Sequence, residues 1–232
     1  MRLLDLPVDV LATILDFIDR DRSSLSALCR VSSALSIHAT ALLYRSISLY
    51  TVPGFVRFKR TLETRPELGT YVHVVAEKQL VFAFLPQCAF RHSQRPLAFV
   101  EHTPNLRRLE LMTPFNPVWS SELMKLRLRS FCAINLCAPA LVYVSRLDMF
   151  EMEYLELRFT GNIPVEDLIF MTLGLWSSAP SLRRLRLQGT IYEVERVLEL
   201  FPGVDVAHVE AVSHPCILEF PLSLRREFEC LL

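Results

Sequence analysis

Glycine and lysine are scarce in this chain, and no charge of one sign prevails. With 6 Gly and 14 scattered Pro in 232 residues, against 51% apolar and 22% charged residues, the composition excludes a collagenous, low-complexity or largely disordered chain. Its 25 basic and 25 acidic residues leave a formal net charge of +0, so no global field gathers nucleic acid or an anionic membrane. Lysine is confined to Lys59, Lys78 and Lys125; a biased genome composition is the simplest account. No apolar run approaches the roughly 18 residues of a membrane span, and Asp5, Pro7 and Asp9 interrupt the place where a signal core would build. The expectation is a soluble intracellular protein.

Catalytic signatures are missing as well. There is no Gly-x-Ser-x-Gly, His-Glu-x-x-His or glycine-rich phosphate loop, so no active site and no cofactor are expected. Cys132 and Cys137, and the loose group His208, His214 and Cys216, lack the paired spacing of a structural zinc site, so no metal is expected. The six cysteines, Cys29, Cys88, Cys132, Cys137, Cys216 and Cys230, lie far apart and read as reduced, mostly buried thiols. The pairs Arg107-Arg108, Arg183-Arg184 and Arg225-Arg226 each have carboxylates nearby and read as solvated faces, not phosphate contacts.

What is present begins with three short helical patterns. Asp5 and Pro7 mark the entry of a helix reaching about Asp19; Asp21 and Ser32 offer caps for two more, the apolar residues of each recurring every three or four positions. In the first, Val10, Ile14 and Phe17 form one stripe and Leu11, Leu15 and Ile18 another, which implies two burial partners. So small a unit buries little area, so the second stripe belongs against the rest of the chain or against another protein.

From Tyr44 to Tyr50 the pattern alternates as a strand does, and Phe55, Phe58 and Leu62 return to helical spacing. Arg65-Pro66-Glu67-Leu68 breaks that helix before a second β-rich run, Tyr71 to Val75; in Ala76 to Val100 the apolar patch Val81-Phe82-Ala83-Phe84-Leu85 fits a helix or a buried strand, and the segment is assigned helix. A repeat follows. Asn105-Leu106-Arg107-Arg108-Leu109-Glu110-Leu111 is answered by Met152 to Leu157 and by Ser181 to Leu187, with weaker copies at Leu128 to Ala133 and Val206 to Ala211, so copies recur roughly every 22 to 30 residues. Helical stretches are expected at Val165 to Trp176 and Tyr192 to Phe201, and a closing amphipathic helix at Pro221 to Leu232. The alternation sends Leu109, Leu111, Leu155, Leu157, Leu185 and Leu187 into a shared core. It sends Arg108, Glu110, Tyr154, Glu156, Arg158, Arg184, Arg186, Gln188, His208 and Glu210 to the opposite, concave face, where they either bind a protein or simply solvate the strands. The fold class is α/β: residues 1–48 form a helical module, and 49–232 an irregular leucine-rich-repeat-like solenoid with a parallel sheet.

The opening Leu6-Pro7-x-Asp9-Val10-Leu11-x-x-Ile14-Leu15, with Leu25-x-x-Leu28-x-x-Val31-Ser32 and Ala39, Leu43-Tyr44-Arg45-x-Ile47, resembles the F-box family over about the first fifth of the chain. Many members carry a tryptophan in the third helix, where this sequence reads Ser32-Ser33-Ala34-Leu35. The resemblance implies a compact three-helix module that docks on a Skp-family adaptor, and through it on a cullin-RING ligase. Leu6, Pro7, Val10, Leu11, Ile14, Leu15, Leu28, Val31 and Leu35 are then the docking candidates. The repeats behind them would hold a protein substrate, Arg108, Glu110, Tyr154, Glu156, Arg158, Arg184, Arg186 and Gln188 being the candidate contacts. The expected function is a non-catalytic substrate adaptor, cytoplasmic or nuclear, with no nucleic acid and no membrane. Two alternatives stay open: a scaffold or inhibitor whose helices cap the repeats, and, ranked lower, a hydrolase whose residues converge only in three dimensions.

Overall fold

The computed structural model describes residues 7–18, 21–31, 33–79, 81–82, 97–113, 120–136, 144, 149–163, 179–191, 205–207 and 216–221. Three helices come first, α1 (Val8–Phe17), α2 (Arg22–Val31) and α3 (Ser33–Arg45). The Pro7 carbonyl accepts from the Leu11 N–H at 3.0 Å, which starts α1 directly after the proline. Asp21 caps α2 as its position promises, its Oδ1 accepting from the N–H groups of Ser23 at 3.0 Å and Ser24 at 3.2 Å. Leu11, Leu15 and Leu35 meet in a small core with Ile18, Leu28 and Leu42 packed around it.

Helix α3 runs without a linker into β1 (Ser46–Leu49), which therefore spans the expected module boundary at residue 48. The alternation from Tyr44 to Tyr50 predicts a strand that includes Tyr44 and Arg45, yet both belong to α3. Tyr44 reaches the main core from the end of α3, and the Arg22 guanidinium donates to the carbonyls of Leu43 and Ser46, satisfying the helix end there.

The remaining elements are α4 (Val52–Thr64), a 3-10 turn (Pro66–Tyr71), β2 (Val74–Glu77), a second 3-10 turn (Ala98–His102), β3 (Arg108–Leu111), α5 (Ser120–Leu123), β4 (Ser130–Leu136), β5 (Tyr154–Ile163), β6 (Arg184–Ile191), β7 (Asp205–Ala207) and β8 (Cys216–Pro221). Among the described residues one eight-stranded sheet runs β1-β2-β3-β4-β5-β6-β8-β7, parallel from β1 to β6. The last two strands depart from the expected array. β8 pairs antiparallel with both β6 and β7, so the copy at Val206 to Ala211 does not extend the parallel run. The 208–215 connection is shorter than the dozen or so residues a parallel crossover needs, and an antiparallel return is what such a length permits.

The second β-rich run starts later than the alternation suggested, because Pro66 opens a 3-10 turn that takes Tyr71. Of the helix assigned to Ala76 to Val100, Ala76 and Glu77 end β2, Val81 and Phe82 form a turn, and Ala98 to Val100 open a 3-10 turn; 80 and 83–96 lie outside the described residues. The same holds for the helices expected at Val165 to Trp176 and Tyr192 to Phe201, and for all of the closing helix but Pro221, which belongs to β8.

Parallel register stacks the inward residues of successive strands. Leu109, Phe131, Leu155 and Leu185 share one rung, Leu111, Ala133, Leu157 and Leu187 another, and all eight are buried. Burying each large side chain contributes roughly 1.5–3 kcal/mol. At the β1 end of the sheet α4 packs Phe55, Phe58 and Leu62 into the same core; the Phe55 ring stands edge-on to Phe82 with centroids 5.0 Å apart. Gly69 lies so close to the second 3-10 turn that a Cβ there would run into the backbone carbonyl of His102.

A backbone hand-off starts each of the strands β2 to β6. The carbonyl of Arg45 accepts from His73, that of His73 from Arg107 and Arg108, that of Arg107 from Arg129 and Ser130, that of Arg129 from Glu153 and Tyr154, and that of Glu153 from Arg183 and Arg184. Just before His73, Arg107, Arg129, Glu153 and Arg183 stand the buried apolar residues Val72, Leu106, Leu128, Met152 and Leu182. The repeat thus includes β2, a copy that its sequence disguises.

Candidate functional site

Two surfaces gather the candidate residues, the outer side of α1 and the face of the sheet away from the core. On α1 the two stripes separate as their spacing demands. Leu11 and Leu15 are 6% and 2% exposed and Leu35 is buried with them, so these three candidates form internal core. Val10 and Ile14 are exposed and Phe17 is 85% exposed, while α2 and α3 add exposed Val31 and Ile37. Pro7 is exposed, Leu28 half-buried, and Leu6 lies outside the described residues.

On the sheet, register aligns Arg108, Ser130, Tyr154 and Arg184 in one outward rung, Glu110, Cys132, Glu156 and Arg186 in the next, and Arg158 beside Gln188 beyond. All eight sheet candidates therefore share one face. His208 and Glu210 lie outside the described residues.

Two carboxylates organise that face, each between cations. Glu110 accepts from Lys78 Nζ at 2.9 Å and pairs with Arg108. Glu156, nearly buried, accepts from the Tyr154 hydroxyl at 2.7 Å and from Arg158 Nε at 2.8 Å, with Arg186 at 3.6 Å. Burial pushes both carboxyl groups up, but their donors and the neighbouring guanidinium and ammonium charges outweigh it and hold both below the usual glutamate value. Burial and the bond to Glu156 push the Tyr154 phenol up to about 12. Cys132, between the two glutamates, is pushed up to about 12 by burial first and by Glu156 and Glu110 next. Its thiol stays protonated at neutral pH and is a poor nucleophile.

Lys78, Arg108, Glu110, Cys132, Glu156 and Arg158 line an open cleft of about 340 Å³ on this face. A second cleft, of about 430 Å³, lies where α2 and α3 meet β1 and α4, between Arg22, Tyr44, Tyr50 and Arg57. Chemically the first cleft offers fixed charges and hydrogen-bonding groups, suited to holding a polar chain.

Sequence reasoning missed Lys78, Cys132 and Glu77. Glu77 occupies an inward position of β2 where the other copies carry Leu or Ala, and it is 1% exposed. The carboxylate accepts from the N–H groups of Phe82, Met112 and Thr113 and from the Thr113 hydroxyl, so it ties two loops to the sheet. The signal was a charged residue at an apolar register position, readable only once β2 is recognised as a copy. Cys29 is half-buried and Cys132 buried, both free; the side chains of the other four cysteines lie outside the described residues. No helix among the described residues is long and apolar enough to cross a membrane.

No protein-family model, curated protein or solved structure matches the chain.

Proposed function

We propose that the chain is a non-catalytic substrate-recognition adaptor of a Skp-cullin-F-box type ubiquitin ligase, working in the cytoplasm or nucleus. The observation that carries this reading is the division of α1: its core stripe is satisfied by Leu35, yet Val10, Ile14 and Phe17 remain in water on the other side. A contiguous apolar face on a module already packed is the kind of surface that protein partners cover. With the F-box-like spacing of the same residues, a Skp-family adaptor is the occupant proposed, joined through it to a cullin-RING ligase. The leucine-rich-repeat-like sheet would hold the substrate protein on its outer face, and ubiquitin transfer would gain from proximity alone.

The test is co-purification of a Skp-family adaptor with the full chain and with a Val10→Asp, Ile14→Asp variant. Loss of the adaptor with an unchanged circular-dichroism spectrum is the expected result; retention by the variant would overturn the docking face. A second reading, a repeat scaffold or inhibitor that uses the helices as a cap, is favoured by one observation. Helix α3 enters β1 directly, and its Arg45 carbonyl begins the strand-to-strand hand-off by accepting from His73 at 3.0 Å. Under that reading no adaptor co-purifies with the full chain, and deleting residues 1–45 unfolds the sheet.

A further inference from the structure

Three arginine-bearing strand entries, Arg107-Arg108, Arg127-Leu128-Arg129 and Arg183-Arg184, contribute only Arg108 to the two-glutamate network of the sheet face. The fold gathers them. Arg107, Arg129, Glu153 and Arg183 are successive hand-off residues, so they stand in one row along the edge where β3 to β6 begin. Neighbours in that row are one strand apart, about 4.8 Å.

Positive charge is in surplus on this edge of a chain whose formal net charge is +0. Arg107 and Arg127 share Glu151 at 4.0 and 3.8 Å, and Arg129 reaches Glu153 at 3.6 Å. Those contacts are long, and the three arginine side chains are 47%, 79% and 52% exposed. Ion pairs so wet contribute little and exchange readily with an incoming carboxylate. Arg183 and Arg184 are exposed, and among the described residues neither side chain has a hydrogen-bond or ion-pair partner. The cleft differs, since Lys78 and Arg158 are held by their glutamates at 2.9 and 2.8 Å.

The geometry points to this strand-start edge as a docking site for an acidic, extended segment of a partner protein. Glu151 and Glu153 lie between the two arginine groups, where they would repel a continuous phosphate backbone; a polypeptide can space its acids around them. Arg129 and Arg183 are two strand spacings apart, about 9.6 Å, which an extended chain covers in about three residues. The segment recognised therefore carries one acid opposite Arg107 and Arg129, two non-acidic residues opposite Glu153, and a second acid opposite Arg183 and Arg184. Nothing here uses α1, so the proposal stands apart from the adaptor reading.

The experiment is fluorescence anisotropy on the full chain, without any Skp-family protein, using a labelled serine-rich peptide with one Glu-Ser-Ser-Glu segment. A Lys-Ser-Ser-Lys peptide and a single-stranded DNA oligonucleotide serve as competing probes. The glutamate peptide should bind, and its affinity should fall about tenfold between about 50 and about 300 mM salt. Arg129→Glu with Arg183→Glu should cost at least about tenfold, the milder Arg129→Gln with Arg183→Gln about threefold, and Arg60→Glu on α4 nothing. Glu153→Gln should tighten binding. The proposal is overturned by no salt-sensitive binding at millimolar peptide, by an equal loss in Arg60→Glu, or by tighter binding of the oligonucleotide than of the peptide.

Discussion

In the N-terminal helices the four buried leucines, Leu11, Leu15, Leu25 and Leu35, stand against five exposed large apolar residues, Val10, Ile14, Phe17, Val31 and Ile37, whereas in the sheet β3 to β6 send their inward side chains into one continuous layer that the next strand seals. The two regions carry the same kinds of side chain and treat them differently. A sheet that grows by stacking buries each new residue against the last, while three short helices enclose little volume and leave part of their apolar surface outside. Stability should accordingly reside in the sheet, with the helices held partly by α3, whose end enters the sheet core through Tyr44.

That contrast can be broken most sharply from the inside of the sheet. Phe131→Ala removes a fully buried ring shared by neighbouring repeats and should cost about 3–5 kcal/mol, read as a lower urea midpoint. Leu15→Ala acts on the smaller core and should cost about 2–3 kcal/mol. Hydrogen exchange should then quicken in α1 to α3 and stay slow in β3 to β6; equal quickening everywhere would mean that the regions unfold as one. Glu156→Gln leaves Arg158 and Arg186 without their carboxylate at a nearly buried site and should cost about 1–3 kcal/mol, seen as a lower melting temperature.

Acid should separate the regions too. Asp21 is lowered from 3.8 to about 2 by the hydroxyl and N–H groups of Ser23 and Ser24, so its support for α2 is complete above the unfolded value and lost as pH falls toward about 2. Helical circular dichroism should decline over that window, and Asp21→Ala should abolish that part of the pH dependence. His73 is lowered from 6.5 by burial first and by Arg45 and Arg107 next, so its neutral form is the native one and sheet stability should slip as pH drops below 6.5. The smallest effect is expected for Ile14→Ser, within about 0.5 kcal/mol in urea, because the side chain already meets water.

Much of this architecture was legible where a local rule determines the outcome. The spacing of Leu11, Leu15, Val10 and Ile14 foretold two stripes on α1, the alternation in Arg108 to Leu111, Tyr154 to Leu157 and Arg184 to Leu187 foretold which side chains share a face, and Asp21 announced its cap. What local rules do not decide was misread. Whether Tyr44 ends a helix or starts a strand depends on Arg22 and on a core contact distant in sequence. The reversal at β8 depends on the length of a connection, and the copy at β2 was hidden because Glu77 stands where the pattern asks for leucine. On the candidate face the individual residues were readable but the pairing was not, since Lys78 with Glu110, and Cys132 between two glutamates, arise only from parallel register.

The carbonyl hand-off has a consequence for how such a chain can change. Hand-off residues His73, Arg107, Arg129, Glu153 and Arg183 are unevenly spaced along the chain, yet each meets its predecessor through the same backbone bond. The joint is indifferent to how much polypeptide lies between one strand and the next, and it asks nothing of side-chain identity. Insertions and deletions between strands can therefore accumulate without disturbing the ladder, which leaves the intervening stretches free to diversify while the strand entries stay in line.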